Sequence, residues 1–300
     1  MIVIFGRADD PPISLVLESL QECGFKYCFV ELRALDRDGL HVQAGSTGLM
    51  GHLMVAGQRL SLETVKSVYA RPLSPGRQWP SPQAAQRALL TFNDFNAWLD
   101  VAPALVINRP LAMNSNNSKP MQMQWIGNAG FLVPETLITS SQEEAFVFWR
   151  THGRVIYKSS SGVRSIVREL DEASAQKLDL LRHLPVQFQA FVPGIDVRVH
   201  VVGQQSFAAE IHSSATDYRY TRGSEHTDLQ VHELPNEVSK RCVQLAKTLE
   251  LPLAGVDLRL RPDGHYVCFE VNPMPAFSYY ESNTNLPISL AVAQLLAAGN

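Results

Sequence analysis

The residues from Val256 to Asn272 carry the sharpest chemical pattern in the chain. Val256, Leu258 and Leu260 alternate with Asp257, Arg259 and Arg261, and Val267, Phe269 and Val271 alternate with Cys268, Glu270 and Asn272. Each run reads as a period-two strand with one apolar face. Pro262-Asp263-Gly264 between them is a hairpin turn. With Asp263 and Gly264 central, Pro262 faces His265. Counting outward, Asp257 then lies opposite Glu270, and Asn272 sits two residues further along the same face. A three-residue loop would break this register. Two facing carboxylates repel, by about 3 kcal/mol at ~5 Å and an effective dielectric of ~20. One acid is protonated, or Arg259 or Arg261 neutralises the pair, or a hard cation sits between them. Asp, Glu and Asn oxygens are ligands that Mg2+ accepts beside substrate phosphates. A metal site at Asp257, Glu270 and Asn272 therefore stands against an arginine-compensated surface hairpin.

Three other segments could serve phosphate chemistry. Lys158 ends a strand and precedes the Ser159–Ser165 loop, which contains Ser161 and Gly162. Such a loop can aim N–H and hydroxyl donors at a phosphate, with the lysine as a point charge; a plain flexible hairpin loop is the competing meaning. No GxxxxGK[ST] motif is present. Lys119, at a helix start, is either a second phosphate contact or a solvated charge. Asp196, Arg198 and His200 share one face of the strand Ile195–Val201, either as an ion-pair ladder or as a polar floor beneath a nucleotide. The nine histidines show no metal-ligand spacing.

The elements that must place these residues follow from pattern. Ile2–Phe5, a helix Ser14–Cys23 closed by Gly24, and Tyr27–Leu32 make a βαβ-like opening. The lone Gly6 makes no dinucleotide fingerprint. Two strands are expected in Leu40–Leu60 and one at Ser67–Ala70. A helix is expected from Gln83 to Val101, with Leu89, Phe92, Phe95 and Leu99 on one stripe. A boundary falls near Asn108-Arg109-Pro110. Ser118 is placed to cap a helix with Pro120 in its first turn, running to about Ala129. Phe131–Thr139 reads as extended. Ser141 opens a helix closed by Gly153, followed by strands Val155–Lys158 and Ser165–Glu169. Beyond lie mostly strands, a helix Glu237–Glu250 and a C-terminal helix.

Composition narrows the function classes. The chain has 300 residues, 45% hydrophobic and 18% charged, with net charge −3. No basic field argues for nucleic acid or an anionic membrane. No apolar run approaches the ~18 residues of a membrane span. The N-terminus shows no signal-peptide pattern, so a cytoplasmic protein is expected. Cys23, Cys28, Cys242 and Cys268 form no CxxC pair and read as free thiols.

Taken together, the pieces resemble the ATP-grasp superfamily, and within it the RimK-like branch of glutamate-adding ligases and ribosomal-peptide maturases. The resemblance runs from about Asn108 to the C-terminus, and its motifs come in the family's order. Ser118-Lys119 and Gly130–Thr136 look like the first ATP lysine and the strand after it. Tyr157-Lys158 and the Ser/Gly loop look like the second lysine and the phosphate-covering loop. Gln189-Ala190-Phe191-Val192-Pro193-Gly194 looks like the hinge on adenine, with Ala190 where a glutamate is common. Asp196-Val197-Arg198 and Asp217-Tyr218-Arg219 look like the D-[IV]-R and D-[FW]-R elements. Ala254–Asp257 and Glu270–Pro273 look like the Mg2+ ligands. His212 and Ser213 stand where some glutamate ligases carry arginines.

The resemblance implies an α/β (α+β) ATP-grasp fold. A small pre-ATP-grasp domain would span 1–107 and the ATP-grasp domain 108–300, with a lid at about 115–187 and a core at about 188–300. It implies an ATP-dependent carboxylate–amine ligase working through an acyl phosphate. Mg2+, one or two ions with Mn2+ as a substitute, would be held by Asp257, Glu270 and Asn272. The nucleotide would lie against Lys119, Lys158, Ser161, Gly162, Gln189, Ala190, Phe191, Val192, Asp196, Arg198 and Arg219. Arg219, Lys158 and Asn272 would act in catalysis. Partners would be ATP, a carboxylate substrate and an amine or other nucleophile, with a peptide among the candidates, and a homo-oligomer is compatible. The competing classes are a phosphotransferase on the same fold, a non-catalytic ATP-binding module and a peptide-binding scaffold. Arg71 is a candidate carboxylate contact or a surface ion pair. Phe277, Ser278, Tyr279, Tyr280 and Glu281 are candidates for an acceptor pocket or for core packing.

Overall fold

The computed structural model describes residues 1–46, 48–159, 167–213 and 227–299. The chain opens with β1 (Ile2–Gly6), α1 (Pro11–Glu22) and β2 (Tyr27–Glu31). β1 is apolar and buried along its length, as a strand covered on both faces must be. Three antiparallel strands follow, β3 (Gly39–Gly45), β4 (Gly48–Val55) and β5 (Gln58–Ser61), where two were expected. The extra reversal is a two-residue turn at Ala56 and Gly57, both at positive φ (49° and 77°). Ala56 gives no sequence signal for that conformation. After β6 (Ser67–Ala70), α2 (Pro82–Val101) starts with Ser81 accepting from the Ala84 N–H. Phe95 stacks on Phe5 at 4.7 Å, and Leu99 is buried. Leu89, expected on the same stripe, is 59% exposed. β7 (Leu105–Ile107) completes a parallel sheet of order β2-β1-β6-β7.

The middle of the chain holds α3 (Pro110–Met113), α4 (Lys119–Asn128), β8 (Thr136–Thr139), α5 (Gln142–His152), β9 (Val155–Ser159), β10 (Arg168–Glu169), α6 (Glu172–Ala175) and β11 (Val186–Ala190). The four strands form an antiparallel sheet of order β10-β9-β11-β8. One face, with Val155, Tyr157, Leu137 and Phe188, packs on Ala145, Phe146 and Trp149 of α5. Period two puts Ile156, Lys158, Gln187 and Gln189 on the other face.

The last third contains β12 (Ile195–Val202), β13 (Gln205–Ser213), β14 (Thr227–Val231), α7 (Asn236–Thr248), β15 (Leu253–Leu260), β16 (Tyr266–Asn272), α8 (Ser278–Thr284) and α9 (Ile288–Ala298). Its antiparallel sheet runs β14-β13-β12-β15-β16. Val197, Val199, Val201, Val256 and Leu258 bury one face against α7 and α4; each such side chain contributes about 1.5–3 kcal/mol. The opposite face carries Asp196, Arg198, His200, Asp257 and Arg259.

The first and last thirds share a core. Ile4, Ile13, Leu20 and Tyr69 pack with Leu253, Phe277, Ile288, Val292 and Leu296. Asn108 joins them by polar bonds: its Nδ2 donates to the carbonyls of Leu253 (2.6 Å) and Pro273, and its Oδ1 accepts from the Leu253 N–H at 3.1 Å. Among the described residues no helix is long and apolar enough to cross a membrane.

Candidate active site

The β15–β16 hairpin reaches its key pairing by an unexpected route. The loop has three residues, Pro262-Asp263-Gly264, with Arg261 N–H donating to His265 O at 2.9 Å and Gly264 at φ 83°. The pairs nearest the turn are therefore Leu260–Tyr266, Arg259–Val267 and Leu258–Cys268, one residue off the expected register. A β-bulge then leaves Phe269 unpaired and restores Asp257–Glu270, Val256–Val271 and Gly255–Asn272. The facing carboxylates thus result from two compensating irregularities rather than a regular hairpin. Bulges commonly re-aim side chains beside active sites.

The outer edge of β16 is closed by side-chain chemistry. Gln122 of α4 donates Nε2 to Val271 O at 2.9 Å and accepts the Val271 N–H at Oε1 at 3.0 Å. Its amide thus stands in for a neighbouring strand. Leu132 O accepts from Cys268 N–H at 2.9 Å.

The carboxylates are neutralised by cations other than Arg259 and Arg261, the two arginines of the arginine-compensated alternative. Arg259 is paired with Asp196 at 2.6 Å, and Arg261 with Asp263 at 2.7 Å. Arg198, directly opposite Asp257 on β12, takes that carboxylate, and Lys119 Nζ takes Glu270 Oε2 at 3.0 Å. Burial pushes the Glu270 carboxyl up, but Lys119, Lys158 and Arg198 outweigh it and hold it at about 2. Glu270 is therefore ionised at neutral pH, which removes protonation of that acid from the alternatives.

Arg198 is itself tightly housed. A Cβ on Gly255 would run into its guanidinium and lie 2.9 Å from Pro275 Cβ, so a side chain there would have to displace Arg198. Its Nε donates to His200 Nε2 at 3.4 Å. His200 is fully buried, and burial together with Arg198 lowers its pKa well below the usual histidine range. The ring is therefore neutral and able to accept that bond.

Lys119 starts α4 and also donates to Asn116 Oδ1 at 2.6 Å. Ser118, expected to cap this helix, makes no side-chain cap bond. Lys158 lies on β9 opposite Gln187, and its effect on Glu270 links this sheet face to the carboxylates of the larger sheet. At the hinge, the Ala190 and Phe191 N–H groups donate to Glu135 O and Arg154 O, both at 2.9 Å, and Val192 O accepts from Arg259 Nη1 at 2.8 Å. The Arg154 guanidinium lies 3.6 Å from the Phe191 ring centroid. Gly194, at φ 142°, has no room for a Cβ, which would fall 2.1 Å from Leu260 O.

The donor set suits a hard divalent cation. Asp257 and Glu270 supply two carboxylates on one face. Asn272 Oδ1 accepts the Met274 N–H at 2.9 Å, and a carbonyl oxygen has a second lone pair. No cluster of three His, Cys, Asp or Glu occurs among the described residues. Mg2+ needs no such cage, because it keeps waters and binds substrate phosphates.

Arg71, read as a carboxylate contact or a surface pair, is neither exposed nor free. It is buried, ion-paired with Asp10, and donates to Pro275 O at 3.0 Å. Phe277 and Tyr280 are core residues, and Tyr279 is exposed. Glu281 accepts from the Ser289 N–H and hydroxyl at 2.9 and 2.6 Å. His212 is bonded to Glu210 at 2.9 Å. Ser161, Gly162 and the Asp217-Tyr218-Arg219 element lie outside the described residues. Sequence reading missed Gln122, Gly255 and Asn108, because their roles depend on partners far along the chain.

The family model for the RimK-like ATP-grasp domain matches residues 117–296, more than half of the chain. The chain is 25% identical over 301 residues to human N-acetylaspartylglutamate synthase A, covering 96% of this chain and 72% of that protein. Among solved structures it resembles the ATP-grasp ligase PsnB, complexed with a phosphomimetic variant of its minimal precursor, Mg and ADP. The identity there is 27% and the TM-score 0.80, over 99% of this chain and 97% of that one. The macrocyclase MdnC from Microcystis aeruginosa MRC, bound with precursor peptide MdnA, shares the fold at 22% identity and TM-score 0.83 over the whole of both chains.

Proposed function

The chain belongs to the RimK-like ATP-grasp family and is an ATP-dependent ligase that forms carbon–nitrogen bonds, and we propose that it activates a peptide carboxylate as an acyl phosphate for capture by an amine or related nucleophile. The observation that carries this reading is the Asp257–Glu270 pair, with Glu270 ionised, beside Asn272, Lys119, Lys158 and Arg198. A peptide substrate is supported by PsnB, whose structure holds a precursor variant with Mg and ADP.

The chemistry follows from charge. A carboxylate and a triphosphate repel, so their charge must be neutralised and the reacting atoms aligned. A carboxylate oxygen bonds to the γ-phosphorus as the bond to the β,γ-bridging oxygen breaks, and ADP leaves. The nucleophile then bonds to the acyl carbon, the C–O bond to phosphate breaks, and its proton passes to solvent or substrate. Lys119 and Lys158 hold the α- and β-phosphates; Ser161 and Gly162, outside the described residues, belong to this reading as further phosphate contacts. Gln189, Ala190, Phe191 and Val192 border the base, and Asp196 and Arg198 form the floor. Arg219 stabilises charge on the transferring group. Asp257, Glu270 and Asn272 are the residues that would hold Mg2+, which when bound neutralises phosphate charge; one or two ions suit this set, and Mn2+ is a substitute. The division near residue 107 belongs to the same reading: the preceding strands build the parallel sheet and the antiparallel β3-β4-β5 sheet, and the following ones the two sheets that would flank the nucleotide.

The test is trapping. The full chain is incubated with ATP, Mg2+, hydroxylamine and a panel of Asp- and Glu-containing peptides. A peptide hydroxamate formed in proportion to ADP is expected. ADP with a stable phosphorylated hydroxyl and no hydroxamate would instead identify a phosphotransferase.

A further inference from the structure

His200 on β12 is fully buried, yet packing alone does not account for an imidazole there. It shares a strand face with Asp196 and Arg198. Those two lie opposite charged residues of β15, whereas His200 lies opposite Gly255. Phe277 and Tyr280 pack against its ring, with centroids 6.4 and 4.9 Å away and planes inclined at 78° and 61°. Its Nδ1 has no hydrogen-bond partner among the described residues. A phenylalanine would fill this aromatic setting without leaving a buried polar atom unpaired, which is costly and rare. What the imidazole adds is its other nitrogen.

That nitrogen, Nε2, accepts from Arg198 Nε at 3.4 Å. Arg198 also donates through Nη1 to Asp257. The two donors lie on different edges of one rigid plane, so the two acceptors together fix the guanidinium in orientation as well as in position. Either bond alone would leave the plane free to swing about it. Tyr280 borders both groups, its ring centroid 5.8 Å from the guanidinium carbon. The imidazole stays neutral because burial and Arg198 both disfavour its charged form. Only the neutral ring has a lone pair at Nε2 to offer.

We propose that His200 is a positioning residue: its Nε2 holds Arg198 against Asp257, and Arg198 thereby orients that carboxylate for binding of the Mg2+-nucleotide. His200 acts only through Arg198. A packing role would ask for a flat apolar ring, whereas a positioning role asks for an acceptor. The assignment rests on the metal–nucleotide site proposed above and adds a residue that controls it at one remove.

The experiment is calorimetric titration of the full chain with ADP, Mg2+ present, for wild type, His200→Gln and His200→Phe. Glutamine offers an acceptor in a different shape, and phenylalanine keeps the shape without an acceptor. His200→Gln is expected to bind ADP within about threefold of wild type, and His200→Phe at least about tenfold more weakly, as loss of a hydrogen bond to a charged group would give. Thermal unfolding without nucleotide shows whether each variant is folded, and His200→Leu repeats the test should phenylalanine prevent folding. The order of the two variants decides, because a residue kept for packing tolerates phenylalanine better than glutamine. A folded His200→Phe that binds as tightly as wild type would overturn the proposal while leaving the ligase reading intact. So would a His200→Gln that loses as much affinity as His200→Phe. Failure of wild type to bind ADP would remove the nucleotide site and this assignment with it.

Discussion

Gly255 matters because Arg198 fills the space its side chain would take. A methyl there would meet the guanidinium at 2.3 Å and Pro275 Cβ at 2.9 Å. Gly255→Ala is therefore expected to displace Arg198 from Asp257, costing about 1–3 kcal/mol of stability. It should also raise the KM for ATP, because Arg198 belongs to the proposed floor beneath the nucleotide. Thermal unfolding and steady-state kinetics check both, and a variant with unchanged stability would contradict the contact. Glu270 gives a pH signature. Its folded-state pKa is depressed from 4.5 to about 2. Its contribution to stability is then present above about pH 4.5 and lost as pH falls toward 2. Unfolding measured in EDTA should show this acid loss in wild type and less of it in Glu270→Gln. Coincident profiles would contradict the Lys119–Glu270 pairing.

At the scale of elements, the hairpin positions the acids and Gln122 holds the hairpin. Gln122→Leu frees both backbone groups of Val271 in a buried setting, with an expected cost of about 1–3 kcal/mol. Faster amide exchange at Val271 than at Val256 would be its local mark, and unchanged exchange would contradict the surrogate-strand role. This hairpin also shows what sequence can carry. Alternation placed both strands, and put Asp257, Glu270 and Asn272 on one face, because side-chain period is a local property. The three-residue loop and the bulge at Phe269 were not legible, since each depends on how the strand meets its neighbours. The same limit hid the third strand between Leu40 and Leu60, which turns on Ala56 at positive φ. It also kept Arg198 out of the alternatives for compensating the acids: Arg259 and Arg261 are near in sequence, whereas Arg198 is near only across the sheet.

At the scale of the molecule, the parallel sheet of the first third is not a loose appendage. Its helix α1 and strand β6 share a buried core with α9, Phe277 and Leu253. Ser67 Oγ donates to Leu296 O at 2.7 Å across the same contact. A core this continuous predicts one cooperative unfolding transition, with Trp98 and Trp125 reporting the same midpoint in single-tryptophan variants. Two separated midpoints would show that the parts fold independently.

The central claim is a Mg2+-dependent nucleotide site at Asp257, Glu270 and Asn272, and one measurement addresses it directly. Thermal unfolding of wild type and Glu270→Gln is followed with a non-hydrolysable ATP analogue, first with Mg2+ and then with EDTA. A ligand that binds only the folded state raises the midpoint by mass action. Wild type should be stabilised with Mg2+ and much less with EDTA, and Glu270→Gln should lose most of the shift. A wild-type protein that is folded yet shows no shift at millimolar nucleotide, or a Glu270→Gln variant that keeps the full Mg2+-dependent shift, would contradict the account.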